Sequence, residues 1–201
     1  FLPYPTSGYP NIEDIFDDLL DPNFQYGGST KSYPKSANNP WQKYFRENKG
    51  SGEIRRKGSA VSDHEYSKHS EAVVERFSHM IEHNGIIPDH LKTKKFAQRL
   101  LPRTWGNKGP TITACSLPDD FVHYEQARSL TVREWARLQT VPDWYEFAGK
   151  RTTGGTRRAG NPRKSIFDRE APKYTQIGNA VPVKLAYEVG KHFEKLIKKT
   201  F

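Results

Sequence analysis

Apolar residues recur at helical spacing in several stretches of the chain, and the ends of those stretches carry start and stop chemistry. Between residues 62 and 84, Val73, Val74, Phe77, Met80 and Ile81 share one face. Ser62 is placed to cap this helix with Glu65 as its reciprocal partner, and Val61 and Tyr66 occupy the positions of a hydrophobic staple. Gly85 supplies the stop, and the pattern tolerates a break near Ser70. A second helix is predicted over 131–140, with Thr131 and Glu134 as a capping box, Leu130 and Trp135 as a staple, and Pro142 just past its end. The last helix opens with Pro182 in its first turn. Leu185, Ala186, Val189, Phe193, Leu196 and Ile197 line one face, while Lys195, Lys198 and Lys199 complement the C-terminal dipole. Near the start, Ile12–Leu20 forms a short helix whose Glu13, Asp14, Asp17 and Asp18 read as a solvated acidic face.

The remaining stretches alternate or break. Pro110–Cys115 is β-branched and alternating, with Thr111 and Thr113 on one side and Ile112 and Ala114 on the other, which predicts a strand. Residues 41–58 interleave Lys43, Arg46, Lys49, Arg55, Arg56 and Lys57 with Trp41, Tyr44 and Phe45, which predicts a mobile basic loop or a pair of short elements. Residues 148–172 are rich in Gly, Arg and Thr and read as loop, as does most of 1–40. No internal repeat is visible.

Composition narrows the class. The hydrophobic share is 34% and the mean hydropathy is −0.85, a thin core for a self-contained domain. A segment that docks on a larger partner shows this deficit. The formal net charge of +9 favours a polyanionic partner, with nucleic acid ahead of an anionic membrane surface. Against the membrane, the chain has no long apolar run and no isolated basic amphipathic helix. A single cysteine excludes an internal disulfide framework and fits a reducing cytoplasm. Phe1-Leu2-Pro3-Tyr4-Pro5 has neither the basic nor the apolar region of a secretory signal, nor an initiator Met, which suggests a piece of a longer protein.

Two features invite a catalytic or metal reading that the sequence supports poorly. His79 and His83 stand four residues apart, but a zinc site needs further ligands and no Cys cluster exists. Cys115 sits inside the predicted strand with no base nearby, the setting of a buried structural thiol rather than a nucleophile. His64 and His69 read as surface or packing residues.

Two other strings carry more. Arg128-Ser-Leu-Thr-Val-Arg-Glu-Trp-Ala-Arg-Leu-Gln-Thr-Val-Pro-Asp143 is, on its own physics, a capped helix with Arg133 and Arg137 one turn apart. The plain reading is a solvated basic stripe. The string closely resembles the ninth motif of DNA cytosine-5 methyltransferases. Tyr174-Thr-Gln-Ile-Gly-Asn-Ala-Val-Pro182 resembles the tenth, with Gly178 suited to a tight turn. The two in order, at a family-like separation, point to the same family. Gly109–Ala114, Asp63–Glu71 and Asn11–Ile15 extend the likeness more loosely, so that it covers the whole chain.

That resemblance implies an α+β fold: a small twisted sheet with long loops as a target-recognition domain, and C-terminal helices that pack on an absent Rossmann-like methyltransferase domain. The implied division is a connecting segment at 1–24, the recognition domain at 25–127, and the ninth and tenth motif region with its helix at 128–201. The implied cofactor is S-adenosylmethionine, with Asn179, Ala180 and Val181 lining part of its pocket. The implied DNA contacts are Thr111, Thr113, Arg128, Arg133, Arg137, Lys94, Lys95 and Arg103. In the whole enzyme a flipped cytosine would be attacked at C6 by a thiolate and methylated at C5. The family's Phe-x-Gly-x-Gly turn, its Pro-Cys nucleophile and its Glu-Asn-Val acid do not occur in this sequence, and Cys115 follows Ala114. The chain by itself is therefore expected to be inactive, without a catalytic residue of its own. Its expected partners are duplex DNA and the N-terminal catalytic domain or subunit of the same enzyme. A truncated piece and a natural small subunit of a split enzyme both fit. Without that partner the exposed face of the last helix favours self-association. The rival readings are a stand-alone basic DNA-binding module and an RNA-binding protein.

Overall fold

A computed structural model describes residues 10–92, 98–104, 111–112, 120–152, 162–165 and 170–200. It is a mixed α and β structure dominated by short helices. Helix α1, Ile12–Phe16, begins where the Asn11 N–H donates to the Asp14 carboxylate at 2.9 Å, and it buries Ile12, Ile15 and Phe16. It tightens into a 3₁₀ turn, Asp17–Leu19. Helix α2, Pro40–Arg46, lies inside the stretch expected to be a mobile basic loop. Asn39 caps it by accepting from the Gln42 N–H at 3.0 Å, and Pro40 fills its first turn. Phe45 and Arg46 are both buried and Trp41 and Tyr44 partly so, while Lys43, Lys49, Arg56 and Lys57 stay exposed.

Helix α3 runs over Glu71–Glu82, with Ser70 at its N-cap, so the cap expected at Ser62 is corrected by eight residues. The reason is tertiary. Asp63 takes a left-handed backbone with φ 62°, which ends any helical path there. Glu65 then pairs with Ser29 as an antiparallel bridge, and Ser32 pairs with Ala60. His64 and Tyr66 point inward while Glu65 is exposed, a period of two. Gly85, with φ 84°, follows the helix as the stop expected of it.

The sheet is small: β1, Arg99–Leu100, runs parallel to β2, Phe121–Val122, with Arg99 opposite Phe121 and Leu100 opposite Val122. The strand expected over Pro110–Cys115 falls mostly outside the described residues, and Thr111 and Ile112 have no regular structure. Helix α4, Val132–Leu138, matches its expectation closely. Thr131 accepts from the Glu134 N–H at 3.2 Å, and Glu134 accepts from the Thr131 N–H at 2.8 Å. Helix α5 is Lys173–Asn179, so Gly178 lies in a helix rather than a turn. Helix α6 is Val183–Thr200.

One core dominates. Ile12, Phe16, Phe45, Leu101, Phe121, Trp135, Tyr174 and Ile177 belong to the same buried cluster, so the interior crosses the divisions expected at 24/25 and 127/128. Helix α6 is the exception. Its Leu185, Phe193, Leu196 and Ile197 are between 47% and 59% exposed. No helix among the described residues is long and apolar enough to cross a membrane.

Candidate functional site

The arginines of the ninth-motif string face the interior. Arg128, Arg133 and Arg137 are all 0% exposed, so the expectation that they contact DNA, and the plainer one of a solvated stripe, are both corrected. Arg128 forms a bidentate pair with Glu134 at 2.8 and 2.6 Å. Arg133 donates to the Ser62 hydroxyl at 2.8 Å, to the Tyr145 carbonyl at 2.9 Å and to Asp63 at 3.3 Å. Arg137 reaches Asp143 at 2.6 Å and Asp18 at 3.1 Å, and it also donates to the Ile15 carbonyl at 2.6 Å. Arg128 ties the first turn of α4 to the 126–129 segment before it, Arg133 ties α4 to residues 62–63 and to the 142–145 turn, and Arg137 ties it to Asp143 and to the end of α1. Planar forks suit this work because each offers five donors in fixed directions.

The matching acids complete the cage. Asp18, expected in a solvated acidic face, is 0% exposed and also meets Arg46 at 3.3 Å. Burial pushes the Glu134 carboxyl up, but the Arg128 ion pair and its hydrogen bonds more than reverse that and hold it well below the usual range. Asp143 behaves likewise: burial raises it, Arg137 lowers it further, and it ends below its ordinary value. Burial pulls His64 down to about 4, with Glu134 opposing and Arg128 reinforcing the shift. His64 donates from Nε2 to the Leu19 carbonyl at 3.0 Å, which leaves Nδ1 to accept from the Thr131 hydroxyl at 3.0 Å. It is thus a core histidine and not a surface one. His79 and His83 stack at 3.9 Å between ring centroids, and no group of metal-binding side chains forms among the described residues.

The two motif strings are joined directly. The Gln139 side chain donates to the Ile177 carbonyl at 3.1 Å and to the Ala180 carbonyl at 3.2 Å. The Tyr174 hydroxyl donates to the Leu130 carbonyl at 3.0 Å. Lys184 lies over the rings of Tyr44 at 4.4 Å and Trp41 at 5.1 Å, which seats the start of α6 on α2. Beyond this anchorage, Asn179, Ala180 and Val181 are exposed, Val181 by 63%. A single exposed loop encloses no ligand pocket of its own.

Of the other residues named from the sequence, Thr111 is exposed, and Thr113, Lys94, Lys95 and Cys115 lie outside the described residues. Arg103 is half-exposed, pairs with Glu13 and lies 3.7 Å from Glu125. Sequence reasoning missed Asp18, Asp63, Gln139 and Thr140. Gln139 and Thr140 carried a signal, since they lie in the same string as Arg137, as does Asp143.

The fold and these strings define a DNA-modifying methylase class. The chain belongs to the C-5 cytosine-specific DNA methylase family, whose profile matches residues 11–195. It is 30% identical over 195 residues to the type II methyltransferase M.DdeI of Desulfomicrobium norvegicum, covering 90% of this chain and 41% of that protein. Against the type II methyltransferase M.AquIB of Picosynechococcus it is 32% identical over 131 residues, covering 65% of this chain and 86% of that one. A solved prophage-encoded E. coli protein, described as a DNA modification methyltransferase, superposes with a TM-score of 0.55 at 17% identity. That match covers 94% of this chain and 47% of the other, so the chain spans less than half of M.DdeI and of the solved neighbour.

Proposed function

We propose that this chain is the DNA-recognising, cofactor-pocket-completing portion of a cytosine-5 methyltransferase. The whole enzyme transfers a methyl group from S-adenosylmethionine to C5 of cytosine in a specific duplex sequence, within a restriction–modification system. The observation that carries the reading is a contrast in burial. The ninth-motif arginines are sealed inside, while the tenth-motif residues Asn179–Val181 and the apolar face of α6 stand in solvent on one continuous segment. A surface of that kind suits a catalytic domain or subunit of the same enzyme as its partner. The apolar area is of the sort that drives association.

S-adenosylmethionine, when bound, supplies the methyl group. Asn179 would offer its amide, and Ala180 and Val181 their apolar surface, as one wall of the pocket. DNA contacts would come from Thr111, Thr113, Lys94, Lys95 and Arg103. Arg128, Arg133 and Arg137 act instead as the scaffold beneath. The division into 1–24, 25–127 and 128–201 then describes roles along one chain.

The test is methyl transfer from labelled cofactor to duplex DNA, measured for this chain, for the catalytic portion, and for both together. Transfer only by the pair is expected. Transfer by this chain alone, abolished by Cys115→Ser, would overturn the proposal.

A further inference from the structure

We infer that Gln139 is a positioning residue that fixes the 180–183 loop, and with it the cofactor-facing wall, to the end of α4. The function of that wall rests on the reading above, whereas the clamp rests on geometry alone. Gln139 caps the C-terminus of α4 and is only 4% exposed. Its carboxamide carries two N–H donors, and both of its targets are carbonyl oxygens, so the nitrogen must face them. Those carbonyls lie in the last turn of α5 and just past it: the Ile177 carbonyl also accepts from the Ala180 N–H at 3.1 Å, and the Ala180 carbonyl stands beyond the helical ladder. Gln139 therefore caps a neighbouring helix from outside.

The backbone completes the grip. The Gln139 carbonyl accepts from the Val183 N–H at 3.1 Å. Thr140 takes a left-handed backbone with φ 54°, and its hydroxyl accepts from the Lys184 N–H at 2.9 Å. One residue thus holds Ala180 on one side and Val183 on the other. Between them, Pro182 has no N–H to donate and the Val181 side chain stands in solvent, so the loop has little else to fix it. Two positions before Gln139, Arg137 is locked to Asp18 and Asp143, so the clamp is mounted on the most tightly held part of α4. Gln139 in this way links the end of α4 to the 180–183 loop without touching either ligand.

Gln139→Met keeps the length of the side chain and deletes both donors; Gln139→Glu keeps its shape and sets a carboxylate against two carbonyls. In this chain alone, amide hydrogen exchange across 176–184 should quicken about tenfold in Gln139→Met, and more in Gln139→Glu, while 131–138 stays unchanged. In the enzyme reassembled with its catalytic portion, the KM for S-adenosylmethionine should rise about tenfold with the KM for DNA unchanged. A merely structural role would instead lower kcat through loss of folded protein. Unchanged exchange in 176–184, equal quickening in 131–138, or an unchanged cofactor KM would overturn the inference. A parent complex that binds no cofactor would overturn the functional reading, leaving the exchange data to judge the clamp.

Discussion

Replacing Arg137 by methionine removes five hydrogen bonds, two to Asp143, two to Asp18 and one to the Ile15 carbonyl. It does so without much change in volume, so the loss is electrostatic rather than a cavity. The two carboxylates left behind are 0% and 1% exposed. They are not wholly orphaned: Arg46 stays 3.3 Å from Asp18, and the Tyr33 hydroxyl still donates to Asp143 at 2.7 Å. Breaking a buried ion pair from one side costs about 3–5 kcal/mol, and these residual partners place the cost near about 3. Against a total stability of about 5–15 kcal/mol, that is a large fraction. With a urea m-value of about 2 kcal/mol/M, the unfolding midpoint should fall by about 1.5 M. Asp143→Asn in the same background should recover part of the loss, because it removes one uncompensated charge. Urea titration followed by tryptophan fluorescence measures both. A shift worth less than about 1 kcal/mol would refute the cage. If the variant also bound DNA more weakly, with a log–log salt slope shallower by about 0.9, Arg137 would be a phosphate contact after all.

Four further outcomes follow from the same structure. His64 is buried with its pKa lowered from 6.5 to about 4, so the unfolded chain binds its proton more readily. Its contribution of about 3 kcal/mol is complete above pH 6.5 and lost as the pH falls towards 4; a urea midpoint flat from pH 7 to 4 would contradict this. Asn179→Ala should leave the melting temperature of this chain unchanged yet weaken cofactor binding in the reassembled enzyme by about 1–3 kcal/mol, read by calorimetry. Phe193→Asp with Leu196→Asp should make the isolated chain more monodisperse in sedimentation and abolish its complementation; intact complementation would show that the α6 face is not the docking surface. Duplex binding by the chain should be weak and fall steeply with salt, each neutralised phosphate adding about 0.9 to the slope, and a salt-independent affinity would exclude an electrostatic footprint.

Local order was legible wherever neighbours in sequence supply the chemistry. The α4 capping box needs only Thr131 and Glu134, three residues apart, and the apolar stripe of α6 needs only a period of 3.6. Both therefore stand in the structure as the sequence pattern requires. The two motif strings likewise identified the family, because their information is carried by contiguous residues. What the sequence could not decide was which side of a charged residue faces water. Arg137 and Asp18 are 119 positions apart, and nothing local distinguishes a guanidinium that will meet a buried carboxylate from one that will meet a phosphate. The same holds for Ser62–Tyr66, where a capping box was available on paper but pairing with residues 28–30 and a left-handed Asp63 made the segment extended. Gln139 closes the list, since its donors find acceptors 38 and 41 residues downstream that exist only once α5 ends beside α4. Hydrogen bonding and charge pairing over such separations belong to the tertiary structure because the fold alone brings the partners within hydrogen-bonding distance.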